Sequence, residues 1–144
     1  MASFRKFLDL TFPEKLVFCR AFLLVLSYRR ALKSHPFDEL MRGAAARAEK
    51  RLVTATADSL PAGRISWLIS KAATVIIKSR CLPQALAGQI IFAEYGYRTD
   101  FHIGVRKESD KLEAHAWLTL DGEVVLGDLP DLALFEELVV NGEL

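Results

Sequence analysis

"KLEAHAWLTLDGEVVLGD", residues 111–128, decides the fold. Its first ten residues alternate along the chain with the period of two that a strand with one buried face requires. Asp121-Gly122 then supplies one of the strongest two-residue hairpin signals, because the turn that matches strand twist needs positive φ at both positions. "EVVLGD" therefore returns as the neighbouring strand. Just upstream, "YRTDFHIGVRK" sets Phe101, Ile103 and Val105 against Asp100, His102 and Gly104, the same period again. The carboxy-terminal part of the chain reads as antiparallel sheet.

Further upstream the period changes. "CLPQALAGQIIFAEYG" (81–96) repeats apolar residues at helical spacing through Leu82, Leu86, Ile90 and Ala93, and Gly96 offers the left-handed residue that often ends a helix. "RISWLISKAATVIIKS" (64–79) has a helical period too, although its β-branched residues leave a strand open. "TFPEKLVFCRAFLLVLSYRRAL" starts with Thr11 and, three residues on, Glu14, a capping box, with Pro13 tolerated in the first turn. Leu16, Phe18, Cys19, Phe22, Leu23, Val25 and Leu26 cover more than half of that helix, which predicts a largely buried element, or else a surface for a partner or membrane. "SHPFDEL" reads as a break, "ARAEKRLV" as a short charged helix and "SLPAGR" as a linker. Helices followed by an antiparallel sheet give the α+β class rather than a doubly wound one. The expected organisation is one domain over 1–144, with a helical subregion at 1–63 and a core at 64–144.

Composition bounds the function. A chain of 144 residues with 51% hydrophobic and 26% charged residues is a globular domain, not a disordered one. Its 19 basic and 18 acidic residues leave a formal charge of +1, which gives no reason to expect nucleic acid as a partner. The charge is uneven: Arg29, Arg30, Lys33, Arg42, Arg47, Lys50 and Arg51 crowd the first half, and the tail from Asp128 is acidic. Two cysteines in this setting read as reduced thiols of a cytoplasmic protein. The apolar run around Cys19 is interrupted by Arg20 and is shorter than the roughly 20 residues that span a bilayer, which leaves peripheral contact open. Two cysteines and three histidines at scattered positions show no metal-ligand spacing, and no cofactor is indicated.

Cys81 stands at a predicted helix start, where the macrodipole favours a thiolate. That effect is worth only about 0.3–1 kcal/mol, so a base is needed as well. His115 lies in an alternating strand. Counting outward from Asp121-Gly122, an unbulged hairpin sets it opposite Asp128, roughly 5 Å away at Cβ. Cys81, His115 and Asp128 thus compose a nucleophile, a base and an orienting acid. Asp121 is the rival acid, though the turn uses it; His102 is the rival base, without an obvious acid; His35 falls in the break before Pro36. The alternative for Cys81 is a small packed residue with no chemistry.

"CLPQALAGQIIFAEYGYRTDFHIGV" followed by "AHAWLTLDGEVVLGD" resembles the transglutaminase-like, papain-type cysteine peptidases of lasso-peptide biosynthesis, the leader peptidase or B protein. The likeness is tight over 81–131 and looser over the first helix and "HPFDEL". It implies a papain- or transglutaminase-like core and an enzyme that cuts the leader from a ribosomally made precursor peptide, a step of antibiotic biosynthesis that frees the core amine. It makes Cys81 the nucleophile, His115 the base and Asp128 the acid, although relatives place that carboxylate a residue earlier. Gln84 is expected to support the helix start, and Trp117, Arg42 and Arg47 to face substrate or partner. The implied partners are the precursor, a separate leader-recognition protein and an ATP-dependent macrolactam synthetase. The alternatives are a transglutaminase-like acyl transferase and a non-catalytic scaffold of the maturation complex.

Overall fold

The computed structural model describes residues 2–55, 60–75 and 81–138. Among the described residues, five α-helices, α1 (Ala2–Leu8), α2 (Phe12–Ala31), α3 (Phe37–Thr54), α4 (Ala62–Thr74) and α5 (Cys81–Glu94), precede four strands. These are β1 (Asp100–Glu108), β2 (Lys111–Leu120), β3 (Glu123–Leu126) and β4 (Glu136–Glu137), antiparallel in the order β3-β2-β1-β4. The α+β architecture expected from the change of period is the one observed.

Helix α5 is the axis of the fold. Ala85, Leu86, Ala87, Gly88, Ile90, Ile91, Phe92 and Ala93 are all buried, because α2, α3, α4 and β2 pack around it. Small residues permit that crowding. A Cβ on Gly88 would stand 2.5 Å from Leu126 Cδ2 and 3.1 Å from Leu118 Cδ1, so the missing side chain lets the β2–β3 hairpin lie directly on the helix. Leu68, Ile69, Leu118 and Leu126 complete that core, each worth about 1.5–3 kcal/mol of burial. At the other end of α5, Glu94 accepts from Arg20 Nε at 2.8 Å and lies 3.6 Å from Arg51 Nε. The arginine that interrupts the apolar run of α2 is thus used to tie α2, α3 and α5 together.

Several local expectations are corrected. The Thr11–Glu14 capping box forms as read, but α2 buries only the face of Val17, Ala21, Leu24, Val25 and Tyr28. Leu16 and Leu23 are exposed, Leu23 by 64%, and Cys19 is exposed as well, so the wide apolar circumference leaves an open apolar face. The break at "SHPFDEL" does end α2, but it is shorter than read and "ARAEKRLV" is only the later part of a longer helix: Pro36 is the N-cap of α3, and Asp38 and Glu39 occupy the first turn, where carboxylates suit the dipole. In "SLPAGR", Pro61 likewise caps α4, whose helix settles the helix-or-strand ambiguity over 64–74; residues 76–79 of that stretch lie outside the described residues. The hairpin at Asp121-Gly122 has φ of 52° and 86°, as its residues require, and Ser109-Asp110 turns β1 into β2 in the same way at 48° and 68°. Among the described residues, no helix is long and apolar enough to cross a membrane.

Candidate active site

Cys81 is the first residue of α5, half-buried beside the edge of β2 where the β3 pairing has ended. Three groups converge on its sulfur. The His115 side chain hydrogen-bonds it, and the backbone N–H groups of Ala116 and Leu82 donate to it. Burial by itself pushes the thiol up, but those bonds and the charge of His115 outweigh it, so the thiol is held below its ordinary range. The imidazole answers in the opposite sense. Its bond to Cys81 raises it, burial opposes, and the Gly127 carbonyl, the thiolate charge and the Asp131 charge raise it further. Both shifts favour one coupled state, a thiolate–imidazolium pair.

The orientation of that imidazole is set by the backbone. His115 Nε2–H donates to the Gly127 carbonyl at 2.5 Å, which leaves Nδ1 as the nitrogen for the thiol. Here the expected hairpin register is corrected. Leu120 pairs with Glu123 and Thr119 with Val124, but Leu118 pairs with Leu126, so a β-bulge inserts one residue into β3. Because side chains alternate, one extra residue moves Asp128 to the register position of Ala116 instead of His115. Asp128 is exposed and has no hydrogen bond or ion pair among the described residues. Gly127, at φ +86°, makes the turn that presents its carbonyl; a Cβ there would lie 2.9 Å from the Ala116 oxygen.

The carboxylate whose charge reaches His115 is Asp131, three residues further on. Arg106 ion-pairs with Asp131 and Glu113 and lies over the Phe135 ring, 5.1 Å from its centroid. Phe135 in turn packs on His115 at 5.7 Å. The 129–135 segment therefore folds back over the sheet face that carries the imidazole. Gly104, the cross-strand partner of His115, gives it room, since a Cβ there would stand 3.1 Å from both Phe135 and Trp117. Gly127, Asp131, Arg106 and Phe135 were all missed by reading motifs. The one available signal was Gly104, a glycine on the polar side of an otherwise regular strand.

The remaining expected site residues scatter. Trp117 is 7% exposed, stacked between His115 (6.0 Å) and His102 (5.4 Å), so it is a wall behind the base and not an open contact surface. His102 lies behind that wall, bonded to Thr119 at 2.8 Å and paired with Glu137. Gln84 makes no side-chain hydrogen bond to the residue-81 backbone among the described residues. Arg42 is exposed and pairs with Asp38 at 2.9 Å, and Arg47 donates to Tyr28 Oη at 3.4 Å. Asp121 stays in its turn, and His35 is an exposed residue after α2. No group of three or more His, Cys, Asp and Glu side chains among the described residues stands as a metal site.

The sequence is similar to a known family over most of its length. The family model described as the transglutaminase-like superfamily matches residues 22–140, which takes in Cys81, His115 and the whole sheet. No curated protein and no solved structure matches the chain.

Proposed function

The chain belongs to the transglutaminase-like superfamily, and we propose that it is a cysteine peptidase that cuts the leader from a ribosomally made lasso-peptide precursor. The observation that supports a thiol hydrolase is the Cys81–His115 pair, with the thiol lowered and the imidazole raised at the start of a buried helix. In the proposed reaction the Cys81 thiolate attacks the scissile carbonyl, and donors near the start of α5 stabilise the oxyanion. The imidazolium gives its proton to the leaving amine, and a thioester remains. Neutral His115 then takes a proton from water as water attacks the thioester; the C–S bond breaks, the carboxyl product leaves, and the Cys81 thiolate is re-formed beside the imidazolium. Water as acceptor makes a peptidase; an amine as acceptor makes the acyl transferase.

The Gly127 carbonyl and the Asp131 charge support the imidazole here. Asp128 takes the acid's role if substrate binding turns its carboxylate into the place that carbonyl holds. The leader itself is proposed to be presented by a separate recognition protein. The open apolar face of α2 supports that reading, since Lys6 and Lys71 flank its groove around Phe7, Phe18 and Val75. The test is incubation of the purified chain with a lasso-peptide precursor, with and without a leader-recognition protein, read by mass spectrometry. Free leader and free core that vanish in Cys81→Ala are expected. A leader–amine adduct, or cleavage that survives Cys81→Ala, overturns the reading.

A further inference from the structure

The segment from Gly127 to Leu138 crosses the sheet face that carries His115, yet none of its residues is buried. Its backbone ties to the sheet come late: Glu136 and Glu137 pair with Val105 and Gly104, and Leu138 N–H donates to the Ile103 carbonyl at 2.8 Å. At the other end the Gly127 carbonyl is held by His115. Between those ends, Asp131 and Phe135 reach the base, the one by its charge and the other by ring contact at 5.7 Å. Little apolar surface is buried there, so side-chain contacts must decide where both lie.

One side chain of the sheet touches both. Arg106 ion-pairs with Asp131, and its guanidinium lies 5.1 Å from the Phe135 centroid. From the opposite side the guanidinium is anchored on the β1–β2 hairpin: Nε donates to Glu113, its cross-strand partner, at 2.8 Å, and Nη2 donates to Glu108 at 2.9 Å. All three guanidinium nitrogens are thus engaged, and the side chain is only 17% exposed. An isolated surface pair contributes little, but a planar fork held at three points has one orientation, which a lysine ammonium does not reproduce. Gly104, two residues from Arg106 on the same strand face, leaves the room in which Phe135 reaches His115.

We propose that Arg106 is a positioning residue for the His115 imidazole: it fastens Asp131 and Phe135 over the base. Its part in turnover rests on the peptidase reading above, but its test needs only the resting protein. The His115 ring of the full chain is titrated by NMR, and its contact with the Phe135 ring is followed by NOE, in the parent, in Arg106→Lys, in Asp131→Asn and in the double variant. The amide spectrum checks that each is folded. The lysine keeps the positive charge and can still pair with Glu113, which lies two residues from His115 on the same strand face, and Cys81 on α5 is unchanged throughout; a shift therefore reports geometry. The Asp131 charge raises the imidazole, so an Asp131 let go by the fork raises it less. Arg106→Lys is expected to weaken the Phe135–His115 NOE and to lower the His115 midpoint, and the same substitution in Asp131→Asn gives no further fall. An unchanged or raised midpoint in Arg106→Lys, an NOE of parental strength, or an equal fall in the Asp131→Asn background overturns the proposal. A parent that cuts no precursor while these shifts are present fails the peptidase reading alone.

Discussion

Gly88→Ala tests how the helix bearing Cys81 and the hairpin bearing His115 are held in register. The new methyl falls 2.5 Å from Leu126 Cδ2 and 3.1 Å from Leu118 Cδ1, in a core where both leucines are buried. Ordinary contact begins near 3.5 Å, so the hairpin must retreat by about 1 Å or Leu126 must leave its rotamer. Overpacking of this kind costs about 1–3 kcal/mol, and replacing a mid-helix glycine returns about 1 kcal/mol. The net expectation is a loss of about 1 kcal/mol, or roughly 3–4 °C in Tm for a chain of this size. The larger effect falls on the site, because a shift of about 1 Å between catalytic groups costs about 100-fold in rate. Thermal unfolding measures the first quantity, and alkylation of Cys81 by iodoacetamide at neutral pH follows the second. A variant more stable than the parent by about 1 kcal/mol, with Cys81 reactivity unchanged, refutes the close packing of hairpin on helix.

Other perturbations separate the groups around the imidazole. Asp131→Asn removes a charge that raises His115, so the imidazolium is lost at lower pH; an NMR titration of the His115 ring should show its midpoint fall, while Asp128→Asn leaves it in place in the free protein. Gly127→Ala forces a side chain into φ +86° against the Ala116 carbonyl, costing about 1–2 kcal/mol in urea unfolding and displacing the oxygen that orients His115. Glu94→Gln weakens the half-buried link to Arg20 and Arg51 and should cost about 1–2 kcal/mol by the same measurement, with Cys81 alkylation unaffected.

The fold class, and the helix start and strand that carry Cys81 and His115, were legible in the chain because each rests on local pattern. Period-two strands, an Asp-Gly turn and a capping box are written within a few residues, and Cys81 at a helix start follows from one such pattern. The bulge in β3 was not legible, because nothing in "EVVLGD" distinguishes a regular strand from one that gives an extra residue to Leu118 packing on α5. That single residue carries Asp128 off the His115 face and substitutes the Gly127 carbonyl. The first part of helix α3 was hidden for another reason: a proline reads as a break, yet at an N-cap it opens a helix. The exposed face of α2 shows the limit of periodicity, which reports apolar surface but not what covers it. Asp131 and Arg106 meet only after the chain has folded back across the sheet.

The pH dependence of Cys81 alkylation in a Cys19→Ser background measures the thiolate–imidazolium pair most directly. The thiolate is the reactive form, so the rate must rise through a midpoint below the ordinary thiol range. In His115→Ala the bond and the charge are lost while burial persists, and the midpoint must move up. An ordinary thiol midpoint in the parent, or one that stays where it is when His115 is removed, contradicts the pair.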